Sequence, residues 1–151
     1  MPKFTLNAAM ACLVLAVAPV ALRADQPGKH PAYLHALTDL RHARAHVERR
    51  GGDPQMKWDE KVVIHEIDEA IREIKDAAID DGKNLQNHPP IDTMIDYPGR
   101  LHRALELLHK AVRDCQEEED NSFARGLQAR AIGHVREAIR LTDQALADAH
   151  R

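Results

Sequence analysis

The sequence predicts an all-α fold, an up-down-up-down four-helix bundle that reads as a duplicated helical hairpin, and three observations predict it. Four stretches carry apolar residues at steps of three and four, the period of a helix with one buried face. Glycine, proline and asparagine positions that stop or start helices stand between them. Aromatic residues make up only 3% of the 151 residues, which leaves Leu, Ile, Val and Ala to fill a core between closely approaching helices.

The first helix opens at Pro31, whose ring fits a first turn, and runs to Arg50, where Gly51-Gly52 stops it. Tyr33, Leu34, Leu37, Leu40 and Val47 form its apolar face. The second starts near Asp59, carries Val63, Ile67, Ala70, Ile74 and Ala77 at helical spacing, and ends where Gly82 can take a left-handed cap. The segment 83–98 holds His88-Pro89-Pro90 and Pro98, which suit no helix interior, so it reads as a long loop between hairpins. The third helix spans about Gly99 to Glu118, with Leu101, Leu105, Leu108, Val112 and Cys115 on one face. Asn121 or Ser122 caps a fourth, which carries Phe123, Leu127, Ala131, Val135, Ala138, Ile139 and Leu146.

The hairpins resemble each other. The stretch from Leu34 to His42 aligns without gaps on Leu101 to His109, an offset of 67 residues. Glu69-Ala70-Ile71-Arg72 returns as Glu137-Ala138-Ile139-Arg140, an offset of 68. Two nearly equal offsets in chain order point to duplication of a helix pair.

Lys3 followed by an apolar run from Ala8 through Leu22 fits a secretion signal, being too short for a comfortable membrane span. Cleavage after Ala24 makes residues 1–24 the signal peptide and 25–151 the bundle domain, which is 151 less 24, or 127 residues, the size of one domain. The expected location is the periplasm or the exterior, with no membrane span after signal removal. Without Lys3 and Arg23 the 21 basic residues become 19 against 24 acids, a net charge of −5, which argues against a nucleic-acid partner. Cys12 lies in the signal, so only Cys115 remains and no internal disulfide can form. Cys115 sits on an apolar face and reads as a small buried residue.

All ten histidines survive signal removal. His35, Asp39, His42 and His46 follow one another at steps of four, three and four, within a stripe about 60° wide on helix one. His102, Glu106 and His109 repeat the first three positions on helix three. Imidazole and carboxylate groups one turn apart suit copper, nickel or zinc ions. Both stripes lie about 120° to 130° from the apolar centre of their helices, at the boundary or outside, so the core is complete without them and no cofactor is required for folding. His65 and Glu69 form a further pair four apart, and His88 with Asp92 gathers ligand types in the loop.

Asp39-x-x-His42 and Glu106-x-x-His109 also match the carboxylate-x-x-His element of di-iron bundles, with Glu69 and Glu137 on the other two helices. That centre needs inward-pointing ligands, and Glu69 lies about 150° from its apolar centre. Haem attachment lacks a Cys-x-x-Cys-His sequence and a core histidine.

With Asp80-Asp81-Gly82-Lys83-Asn84 followed by His88-Pro89-Pro90, the chain resembles a group of short uncharacterised exported bacterial helical-bundle proteins, a resemblance that implies no activity. His134-Val135-Arg136-Glu137-Ala138-Ile139 is similar to the recurring His-hydrophobic-x-x-Ala-Ile unit of the periplasmic small metal-binding protein family, and Glu66-Ile67-Asp68-Glu69-Ala70-Ile71 matches it without the histidine. That similarity implies a helical metal-binding protein. The expected function is a non-enzymatic exported bundle that binds or buffers divalent transition metal through His35, Asp39, His42, His46, His102, Glu106 and His109. The rival is a protein-interaction or envelope-stress module, and a di-iron or haem enzyme comes third.

Overall fold

A computed structural model describes residues 31–56, 58–80 and 94–149. The signal segment, the Gly82 cap and the His88 to Asp92 stretch lie outside the described residues. Among the described residues four α-helices follow in order, α1 (Tyr33–Val47), α2 (Glu60–Asp80), α3 (Tyr97–Cys115) and α4 (Ser122–Ala149). The all-α four-helix bundle is as the periodicity predicts.

Helix α1 packs on α2 and α3, and α4 packs on the same two, while among the described residues the backbones of the diagonal pairs α1/α4 and α2/α3 do not come within 8 Å of each other. Directions follow from specific contacts. The Arg44 side chain meets Asp68 and Arg49 meets Glu60, so α1 and α2 are antiparallel. Ala32 N–H donates to Asp114 O and the Tyr97 hydroxyl to Val47 O, so α1 and α3 are antiparallel too. Arg130 pairs with Glu73 and Asn121 with Asp80, which sets α4 against α2. Helices α2 and α3 are therefore parallel, and the order is up-down-down-up, a correction to up-down-up-down. The chain leaves α2 at the end where α1 begins and must start α3 at the other. Length agrees with this: α2, with 21 residues, is about 32 Å long at 1.5 Å per residue, and the connection 81–96 can reach about 50 Å when extended.

The core is Leu, Ile, Val and Ala, with Leu37, Leu40, Ile67, Ile74, Leu101, Leu108 and Val135 fully buried. Alanines line the contacts: Ala36, Ala43, Ala70, Ala77, Ala104, Ala111, Ala131 and Ala138 are all inaccessible, and small side chains let helices approach closely. Tyr33 and Tyr97, at the starts of α1 and α3, each reach across to the C-terminal end of the other helix. The Tyr33 hydroxyl donates to Glu119 at 2.7 Å and that of Tyr97 to Val47 O at 3.0 Å.

Tyr97 and Pro98 belong to the first turn of α3, and not to the loop. Proline lacks only an N–H that a first turn leaves unpaired anyway. Asp96 caps this end by accepting from Gly99 N–H, and a Cβ at position 99 would stand 2.5 Å from the capping oxygen, so the cap relies on glycine there. Asn121 caps α4, accepting from the Phe123 and Ala124 amides. Helix α3 ends earlier than Glu118, because the Gln128 side-chain amide takes the Cys115 and Glu117 carbonyls. Helix α1 likewise ends at Val47, before Arg50, and Gly52 turns the chain with φ of 94°. Phe123 is 63% exposed, a correction to its assignment to the core face. Cys115 is buried as expected, and burial pushes its thiol up to about 12, which leaves it unreactive.

Candidate functional site

The two histidine stripes stand in different environments. On α3, His102, Glu106 and His109 are all exposed, and the Glu106 carboxylate is held by Arg103 at 2.6 Å. On α1, His35 is exposed and His42 half-buried, but Asp39 and His46 are buried, a correction to a stripe at the boundary or outside. The Asp39 carboxylate takes the Lys110 ammonium across the α1–α3 seam. Among the described residues no three His, Cys, Asp or Glu side chains converge as a set that could hold a metal ion. Each stripe therefore keeps its ligands along one helix.

His46 is 4% exposed, and its Nδ1 lies buried without a hydrogen-bond partner. Burial lowers its pKa from the ordinary 6.5, and the charges of Arg103, His42, Arg100 and Arg50 lower it further. The folded protein thus favours neutral His46, whereas the unfolded chain takes up a proton near pH 6.5. The contribution is fully present above that pH and is lost as pH falls below it. Urea denaturation is expected to give a midpoint that declines between about pH 7 and 5, a window above carboxylate titration. In His46→Gln this decline should be flattened; an unchanged slope would place the acid sensitivity elsewhere.

Arg100, which the sequence did not single out, is the largest fully buried side chain. Its Nη2 donates to Asp53 and its guanidinium lies 4.9 Å from the Tyr97 ring centre. Burial lifts the Tyr97 phenol to about 12. Farther along α2, Glu73 is buried between Arg130, at 2.8 Å, and Arg72, at 2.9 Å. Hydrogen bonding to Arg130 is the largest influence holding Glu73 below the usual carboxylate range. Neither cluster follows the spacing of a ligand motif.

The carboxylates a di-iron centre would need lie at the surface, Glu69 on Arg72 and Glu137 on Arg140. A different pair forms across the α2–α4 seam, where His134 Nδ1 lies 2.7 Å from Glu66 Oε2. These two residues occupy corresponding positions of the aligned helices, 68 apart. That offset was the one signal in the sequence that could have found the pair.

No described helix is long and apolar enough to cross a membrane. Fold and surface define a small helical bundle with histidine-bearing faces. Comparison of the chain with family models, with curated proteins and with solved structures finds no match.

Proposed function

We propose that this chain is an exported, non-enzymatic helical bundle that binds divalent transition metal, copper, nickel or zinc, through surface histidines. The observation that carries the reading is the α3 face, where His102, Glu106 and His109 are exposed together at spacings of four and three. Their one competing contact, Arg103 on Glu106, is an exposed ion pair of the kind that contributes about 0.2 to 1 kcal/mol and yields readily to a cation. The α1 face is the poorer one, because Asp39 is engaged by Lys110 and His46 is buried among cations. A two- or three-ligand face exchanges metal with water quickly, which fits buffering better than permanent storage. Residues 1–24 then act as the export signal, 25–151 as the working domain, and the periplasm or exterior as its place of action. The resemblance of the His134 to Ile139 unit to the periplasmic small metal-binding protein family belongs to this reading.

The same reading takes the two hairpins as products of duplication. Supporting it, α1 packs antiparallel on α3 and α2 on α4, so each helix lies against its own counterpart, as in a two-fold pair of hairpins. The rival, a protein-interaction or envelope-stress module, is favoured by one observation: Phe123 and Ile79, more than 60% exposed, sit at the end where Asn121 bonds Asp80.

Calorimetric titration with nickel or copper tests the metal reading. His109→Ala is expected to remove more of the binding than His42→Ala, and the double variant most of what the α1 and α3 faces hold. Binding should weaken as pH falls through about 6.5, since protonated imidazole cannot ligate. Unchanged uptake in the double variant would sink the proposal.

A further inference from the structure

We propose that the seam between α2 and α4 holds a second divalent transition-metal site, built on His134 and Glu66 and completed by Glu69 and His65. It goes beyond the surface faces because its ligands come from two helices whose packing fixes their separation. Helices α2 and α4 run antiparallel in close contact, and the seam brings an imidazole nitrogen and a carboxylate oxygen to 2.7 Å. Two donors sharing one tetrahedral ion at about 2.1 Å stand roughly 3.4 Å apart, so this pair needs to open by less than about 1 Å to admit a zinc-like ion. Both side chains are largely covered, 32% exposed for His134 and 20% for Glu66, so water competes for the ion less than on an open helix face.

The further donors lie on α2. Glu69 is three residues after Glu66 and four after His65, so all three occupy neighbouring positions of one helix surface. The Glu69 carboxylate is at present paired with Arg72 at 2.7 Å, on the helix surface it shares with His65 and Glu66. Among the described residues no three such groups already converge; the ion completes the set by drawing Glu69 from Arg72. That movement needs no unpaired cation, because the Arg72 side chain is exposed and keeps Glu73, at 2.9 Å, as its partner. Imidazole with carboxylates suits zinc, nickel or copper rather than calcium or magnesium, which prefer oxygen donors alone.

The test uses the full chain with zinc or nickel salts as the only added ligand. Metal should raise the thermal unfolding temperature of the parent and of the His42→Ala/His109→Ala variant alike, so failure of the surface-face reading leaves this one standing, and the reverse. Adding His134→Ala to that double variant should abolish the remaining rise and weaken the remaining binding at least tenfold. Glu69→Gln, a near-isosteric change at a half-buried position outside the core, should weaken it several-fold, so a fold defect in the first variant does not hide the answer. In the parent, trace copper should broaden the ring resonances of His134 and His65. A thermal rise that persists undiminished in the His42→Ala/His109→Ala/His134→Ala variant, or broadening confined to His102 and His109, overturns the site.

Discussion

Ile67→Ala or Ile74→Ala is expected to destabilise the bundle by about 2 to 5 kcal/mol, the usual cost of removing a fully buried branched side chain and leaving a partly unfilled cavity. Both residues are wholly inaccessible and belong to the continuous core cluster that all four helices share. The neighbouring core positions offer little that can move into the space, because many are alanines with no rotamers to adjust. His35→Ala, at an exposed position of α1, should change stability by less than about 0.5 kcal/mol. Urea denaturation of the three variants checks the ranking. A histidine change as damaging as either isoleucine change would mean that the α1 stripe bears on the core directly.

The second large effect is expected at Asp53. Burial pushes its carboxyl up, but the Arg50 amide and the Arg100 guanidinium outweigh that and hold it below the usual range. Its partner Arg100 has a side chain only 2% exposed, while Asp53 keeps one side toward water. Removing the acid leaves a buried guanidinium without its counter-charge, so Asp53→Ala should cost about 3 kcal/mol, the lower end for a broken buried pair. Adding Arg100→Met should recover much of the loss, since replacing both partners by apolar groups removes the unpaired charge. A double variant as unstable as Asp53→Ala alone would show that Arg100 acts through packing and its Tyr97 contact instead.

What the sequence carried and what it hid divide along physical lines. Hydrophobic period located all four helices, since each has a full apolar face, and the Asn121 cap was legible because asparagine before an apolar run has few other local uses. Helix direction was not legible: periodicity is blind to it, and only the length of the 81–96 connection hinted that α3 begins at the far end of the bundle. Adding Ala36 and Ala43 to the apolar face of α1 turns its centre about 30° toward the histidine stripe. With these alanines included the buried arc reaches Asp39 and His46, which are the stripe residues found inside. Arg100 escaped notice because a lone arginine in a first turn carries no pattern; its burial depends on Asp53, 47 residues away. The Glu66–His134 pair became visible only when the two halves of the chain were set against each other in space.

On the proposed reading the bundle is complete without metal and binds it afterwards at its surface and seam. Circular dichroism after exhaustive chelation, followed by stepwise addition of nickel or zinc at neutral pH, tests it most directly. Before the first addition the protein should be fully helical and unfold cooperatively, with helix content unchanged and only the unfolding temperature rising as metal is added. A largely unfolded chain that gains its helices on metal addition, or a folded one whose unfolding temperature ignores metal altogether, would contradict it.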